Sequence, residues 1–295
     1  MPRHPRQLVV NADDFGISRG VNRGIVEAHR DGLVTSASLM PNLPSAEDAV
    51  TRAATCPDLG LGLHLTLTAG RPLSDPETVP TLVDPDGQLF LLGTLLGRLS
   101  TGRVSRDDLR RELTAQIEWA LQRGLRPSHL DSHHHVHTHP WVAPIVVGLA
   151  REHGIGWVRC PTEQALTPGL LAMAPRDAFR TVAISTFGLL TRVLVRQAGL
   201  RTTRHFRGIG LGMGFGDRGL LAALQALPPG LTELMTHPGH PDEELARLTV
   251  FAEGRDRELA ALTAPAARDL VRVQRIRLTS FAWLAEIRRT GGVAG

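Results

Sequence analysis

Four short segments carry side chains that could do chemistry. In Val9-Val10-Asn11-Ala12-Asp13-Asp14-Phe15-Gly16, two adjacent carboxylates directly follow an apolar run. A buried carboxylate is costly unless a cation or hydrogen-bond donors meet it. Neighbours in an extended segment point to opposite sides, so one aspartate can bind a metal while the other faces a substrate. On this segment alone, a strand-end turn with Asp14 or Ser18 capping a helix accounts for the pair equally well. In Gly60-Leu61-Gly62-Leu63-His64-Leu65-Thr66 a lone histidine interrupts an alternating apolar strand, and a satisfied core histidine is the simpler account. The tract from His129 to His139 holds six histidines in eleven residues, an unusual density of the commonest metal-ligand side chain. Extended backbone up to the strand end puts His129, Asp131 and His133 on one side, making His133 a candidate ligand and Asp131 a candidate partner for a ligand. The fourth segment, Leu231-Thr232-Glu233-Leu234-Met235-Thr236-His237-Pro238-Gly239-His240, places His237 where a strand gives way to a loop.

All four segments put their polar residue at the C-terminal end of a predicted strand, and this convergence outweighs any single motif. Strands are predicted at 7–11, 35–40, 59–66, 129–132, 157–159, 205–208, 231–236 and 277–279. Helical patterns run from Ser18 to Gly32, Ser45 to Ala54, Ser105 to Arg123 and Pro140 to Gly154, and open again near Ser185, Asp217, Pro265 and Ser280. Between Thr66 and Gly87 the chain is polar and rich in Pro, Gly and Asp. Strands alternating with helices predict a parallel sheet with right-handed crossovers. About seven such units over residues 1–295 predict one α/β domain, a TIM-like β/α barrel with its site at the C-terminal ends of the strands. Ligands at Asp14, His64 and His133 would leave positions open for water and substrate, as catalytic sites do. Nitrogen and oxygen donors without thiolate suit zinc and also accept Mg, Mn or Co.

Composition removes several function classes. All 33 basic residues are Arg and there is no Tyr, so a formal charge of only +4 gives a pI near 10.5 that overstates basicity. The arginines are dispersed among 29 acids rather than gathered on one face, which argues against nucleic-acid binding. Cys56 and Cys160 form no CxxC pattern, so neither a disulfide framework nor a thiolate metal site is indicated. The N-terminus shows no signal-peptide apolar region, and runs such as 142–150 are too short to cross a bilayer. A soluble, cytoplasmic protein is expected.

These motifs together resemble the YdjC-like carbohydrate deacetylases, a family that includes chitooligosaccharide deacetylases and hopanoid-biosynthesis proteins. The resemblance rests on Asn11 to Gly16, Val21 to Ile25, Thr35 to Met40, Gly62 to His64, His129 to His137 and Thr236 to Gly239, in that order. It implies a β/α barrel, one divalent metal on Asp14, His64 and His133, and Asp13 as catalytic base. The expected reaction is removal of an acetyl group from an N-acetylated amino sugar, with His237 the candidate acid for the departing amine. Arg159, in Trp157-Val158-Arg159-Cys160-Pro161, could reach the intermediate or a substrate hydroxyl; a surface or ion-paired arginine is an equal alternative. The glycine run from Gly208 to Gly216 never satisfies GxGxxG and is read as a flexible loop. One metal, one base and one acid do not name the scissile bond, so deformylation or phosphoester hydrolysis remains open, as does a non-catalytic metal- or sugar-binding protein.

The stretch from Ala165 to Leu200 is apolar and is closer to the hopanoid branch. Phe187, Leu190 and Leu194 recur at helical spacing beside Leu189 and Val193, flanked by Arg192 and Arg196. Two readings stand: ordinary packing on the barrel, or an apolar rim receiving the lipid of an N-acetylglucosaminyl glycolipid. Peripheral membrane contact and a homodimer are left open.

Overall fold

A computed structural model describes residues 5–163, 175–212, 214–248 and 254–289. The chain runs β1 (Arg6–Phe15), α1 (Arg19–Arg30), β2 (Ser36–Leu39), α2 (Ala46–Ala53), β3 (Gly60–Leu65), α3 (Leu92–Ser100) and α4 (Arg106–Gln122). It continues through β4 (His129–Ser132), α5 (Ala143–Glu152), β5 (Trp157–Val158), α6 (Pro175–Gln197), β6 (His205–Arg207), α7 (Asp217–Gln225) and β7 (Gly230–Thr236). It closes with α8 (Glu243–Leu248), α9 (Arg255–Thr263), α10 (Pro265–Val273), β8 (Arg277–Leu278) and α11 (Phe281–Arg289). Local chemistry sets several boundaries. Ser18 caps α1 by accepting from the Val21 amide, and Ser105 caps α4 by accepting from Asp107 and Asp108.

The strands are parallel and lie in the order β5-β4-β3-β2-β1-β7-β6, with short β8 beside the start of β1. This is the predicted α/β alternation, curled around a polar interior. Barrel closure differs from the expectation. Among the described residues no ladder joins β5 to β6, and the β5 edge meets the segment before β6 through one bridge, Trp157 with Arg201. Strands of two and three residues present too few backbone groups for a continuous seam. Three helices, α3, α8 and α9, go beyond the sequence-based reading.

Two departures bear on function. The first is in β1, which extends through both aspartates to Phe15. Its register against β2 slips between Ala12 and Phe15: Ala12 faces Ala37, but Phe15 faces Leu39. Three steps on β1 against two on β2 make a bulge, and Asp14 within it is left-handed at φ 66°. Bulges re-aim side chains at sheet ends. The second is in α6, where Phe187 is half-buried and Leu194 packs against the core, so the expected stripe is turned. The exposed apolar residues are Phe179, Val182, Leu189, Leu190 and Val193. The Leu/Ala/Met-rich segment expected before this helix, 165–174, lies outside the described residues.

A close approach fixes the β3–β4 seam. A Cβ on Gly62 would lie 2.3 Å from the ring of buried His129, which is held by Ser38 and Ser128 and stacked on Phe281. Gly97 in α3 has nothing within 4 Å of its Cβ direction. Gly62→Ala is therefore expected to lower stability by about 1–3 kcal/mol. Gly97→Ala should raise it by about 0.5–1 kcal/mol, the usual helical gain over glycine. Urea unfolding at constant m-value measures both, and a neutral Gly62→Ala would show that the seam can relax.

Candidate active site

At the bulge the two aspartates separate. Asp13 turns toward the sheet interior, where its Oδ1 accepts from Asn11 Nδ2 at 2.8 Å and from Arg159 Nη2 at 2.7 Å, and its Oδ2 from Arg159 Nη1 at 2.6 Å. Asp14 turns to a different set. Its Oδ1 lies 3.0 Å from His133 Nδ1 and 3.3 Å from His64 Nε2, while Oδ2 accepts from Arg255 Nη2 at 2.6 Å. His64 Nδ1 is 2.8 Å from Asp131 Oδ1, directly across the β3–β4 pairing. That bond fixes the ring with Nε2 aimed at Asp14, the arrangement in which a carboxylate orients a metal-binding imidazole.

Asp14, His64 and His133 thus bring one ligand atom each within reach of a single ion, and nitrogen and oxygen donors of this kind fit a divalent cation. Asp13, His64 and Asp131 are equally close. That second group is already satisfied, since Arg159 binds both of its carboxylates. His133 is the most open member of the first group, with 14% of its side chain exposed.

Arg159 is fully interior and serves three acids. Besides Asp13 it reaches Asp131 Oδ2 at 2.8 Å and Glu233 Oε1 at 2.7 Å. Ser38 adds a 2.7 Å hydrogen bond to Asp131. Every guanidinium nitrogen is engaged by carboxylate, so the side chain holds the acids rather than pointing into open space.

The electrostatics follow from this placement. Burial alone would raise Asp14, but Arg255 and His133 outweigh it and hold the carboxyl well below its ordinary range. Burial would likewise lower His64, and Asp131 and Asp13 override it, lifting the imidazole to about 10. Glu233 is pushed up to about 7 by burial, with Arg159 opposing. His237 is pushed down to about 4, again by burial.

His237 stands just beyond β7, its amide donating to Glu258 Oε2 at 2.6 Å and its Nδ1 4.0 Å from Glu258 Oε1. The other Glu258 oxygen accepts from the Gly214 amide at 2.7 Å. At the start of the glycine run, Glu163 accepts from Gly208 at 3.4 Å and Gly210 at 2.6 Å. The run read as a flexible loop is therefore tied by two carboxylates, one of them shared with His237. The remaining histidines of the tract have local work. His137 bridges Ser132 and the Arg159 carbonyl, His134 meets Thr68, and burial lowers His129, His134 and His137 to about 4, 3 and 4.

Arg255, Glu258, Glu233, Asn11 and Ser38 were not singled out in the sequence. Glu233, an acid within an apolar strand, carried a usable signal. Arg255 and Glu258 carried none, because their helix has weak periodicity.

A curled parallel α/β sheet with a buried Asp/His cluster at the strand ends defines a protein built to gather ligands and acids at one rim. The YdjC-like protein family model matches residues 7–273, and the chain belongs to that family. A carbohydrate deacetylase from Thermoanaerobacter pseudethanolicus is 34% identical over 279 residues, covering 95% of this chain and 99% of the relative. One from Geobacillus stearothermophilus is 39% identical over 263 residues, covering 88% and 91%. A solved structure from Enterococcus faecalis V583, named for cellobiose-phosphate cleavage, has 27% identity and a TM-score of 0.76, covering 95% of this chain and 99% of that one.

Arg159→Met removes the cation from three buried carboxylates. Breaking a buried ion pair from one side costs about 3–5 kcal/mol, and that loss is expected here in denaturant unfolding. A loss below about 1 kcal/mol would mean that the acids are neutralised by other means.

Proposed function

We propose that this chain is a metal-dependent deacetylase that removes the acetyl group from an N-acetylated amino sugar. The divergence of Asp13 and Asp14 at the β1 bulge carries this reading. One carboxylate meets two imidazoles, while the other is held apart by a guanidinium, giving two acids two different tasks. The relatives' activity on carbohydrates supports the substrate class.

Asp14, His64 and His133 would hold the ion, with Zn, Mg, Mn and Co all compatible with the donor set. A divalent ion there would supply Lewis acidity toward the acyl carbonyl and would make water more acidic near neutral pH. Asp13 would take the proton from the attacking water. Its Oδ1 accepts from both Arg159 and Asn11, whereas Oδ2 spends one lone pair on Arg159 and keeps another. Arg159 and Asn11 fix the plane in which the base works. As the C–N bond breaks, His237 delivers a proton to the leaving nitrogen, and acetate and a free amine result. Because burial keeps His237 neutral at pH 7, the proton it donates is balanced by the water proton that Asp13 took up and gives back during turnover. Arg159 acts through Asp13, not by touching the sugar.

The sugar is a chitooligosaccharide or an N-acetylglucosaminyl glycolipid such as a hopanoid. The outward apolar residues of α6 favour the lipid-linked form, and a cytoplasmic enzyme fits either. Acetate release from N-acetylglucosamine oligomers and from the glycolipid tests the reading. Phosphate or formate release without acetate would replace it.

Asp14→Ala, His64→Ala and His133→Ala should each lose bound metal and activity, since two remaining ligands hold a labile ion poorly. Full occupancy in His64→Ala would remove that residue from the set. Asp13→Asn should keep the metal while kcat falls by about 10²-fold or more, the scale of general-base loss. Metal affinity should rise with pH, because His64, protonated at neutral pH in the ion-free protein, must release its proton to ligate. Calorimetry in buffers of different ionisation enthalpy reads that proton.

His237→Ala should keep its metal and slow amide substrates more than activated aryl esters, whose leaving groups need no proton. Equal losses on both substrates would take His237 out of the acid role.

A further inference from the structure

Helix α6 presents two faces with different chemistry. Its inner face buries Thr181, Ser185, Thr191 and Val195. There Gly188 meets the Pro161 backbone so closely that a Cβ would lie 2.8 Å from the Pro161 carbonyl oxygen. Thr191 Oγ1 donates to the Thr138 carbonyl at 3.4 Å, and Phe187 meets the His139 ring at 5.8 Å, so this face rests on the histidine tract. The outer face carries Phe179, Val182, Leu189, Leu190 and Val193, each between 42% and 76% exposed. At 3.6 residues per turn these five fall within an arc of about 100° and span about 21 Å. Exposed apolar side chains scattered singly need no explanation, but five on one face of a helix, interrupted only by Thr186, do.

Charge says what the stripe faces. From Ala178 to Gly216 the chain carries six arginines and neither Asp nor Glu. Arg180, Arg196, Arg201 and Arg204 are exposed, whereas Arg192 is turned inward onto Thr162 and the Thr203 and Arg204 carbonyls. On the helical projection Arg196 borders the stripe beside Leu189, whereas Arg180 falls about 80° beyond it, beside Phe187 and toward the histidine tract. A helix with large apolar residues on one face, an arginine at its border and further exposed arginines just beyond its end suits the plane between lipid headgroups and acyl chains. Residues 178–197 are long and apolar enough by length and composition to cross a membrane, but the polar inner face is committed to the fold. Lying on the surface is the arrangement that satisfies both faces.

We infer that the outer face of α6 docks this protein on an anionic lipid bilayer, with the apolar stripe entering the interface and the arginines meeting headgroup phosphates. A second copy is a poorer occupant, because pairing two stripes would bring together two copies of a segment with six arginines and no acid. The inference rests on the surface of α6 and holds whichever sugar the enzyme uses.

Flotation of the full chain with vesicles tests it, comparing phosphatidylcholine alone with phosphatidylcholine containing phosphatidylglycerol. The chain should bind the anionic vesicles roughly tenfold or more better than the neutral ones, and lose much of that advantage in high salt. Leu190→Glu with Val193→Glu should reduce binding to anionic vesicles by roughly tenfold or more. Both positions are exposed, so thermal unfolding should match the wild type. Arg196→Ala, which leaves the apolar stripe intact, should lower only the anionic preference. No binding by the wild-type chain overturns the inference, as does equal binding by a well-folded Leu190→Glu/Val193→Glu variant. A wild-type dimer that this variant splits, with no effect of vesicles, would assign the face to self-association instead.

Discussion

Carboxylates gathered inside a sheet repel one another and lose their hydration, and here one guanidinium makes the gathering possible. Arg159 joins Asp13 from β1, Asp131 from β4 and Glu233 from β7, so a single side chain spans strands on both sides of the interior. The order of the other polar groups descends from it. Asp131, held from one side by Arg159 and Ser38, can hold His64 from the other. His64 then presents Nε2 to Asp14. Without the guanidinium the three acids would be driven toward neutrality or apart, and His64 would lose the partner that aims its ring.

Much of this was legible because strand alternation is a strong local code. His64 and His133 stand at the ends of strands that lie within a residue of the predicted ones, whereas β1 runs four residues past its predicted end and takes in both aspartates. The split between Asp13 and Asp14 was legible only in outline, since a bulge depends on the register of β2 rather than on β1's own residues. Arg159 was noticed without its partners, which come from strands far away in sequence. Arg255 and Glu258 left no trace either, because their helix has weak periodicity and their partners, Asp14 and the Gly214 and His237 amides, lie in other elements. The face that α6 buries was misjudged by part of a turn, as neighbours and not propensity choose it.

The histidine tract shows the limit of counting residues. Six imidazoles suggest several ligands, yet within the described residues only His133 of the tract joins a metal-capable cluster. Its neighbours brace the turn that presents it. His134 and His135 both adopt left-handed backbone, with φ 58°. Asp14 does too, so three non-glycine residues in a sparsely populated conformation lie at one rim. Such strain persists where the surroundings over-determine it. Here those surroundings include Thr68 on His134, the Asp14 carboxylate on His133 and the Ser132–His137–Arg159 chain behind them.

Two arginines, finally, make the two aspartates unequal. Arg159 engages both oxygens of Asp13, so using that carboxylate as a ligand would disturb a bidentate pair buried with two further acids. Arg255 engages Oδ2 of Asp14, while Oδ1 faces the two imidazoles. A cation meeting that oxygen adds to the existing charge pattern instead of breaking it. Asp14 can therefore ligate while still bonded to its arginine, and Asp13 can exchange a proton while its plane stays fixed. The distinction comes from which of its own oxygens each aspartate must share with a guanidinium, a constraint imposed by Arg159 after β5 and Arg255 in α9, far from the motif itself.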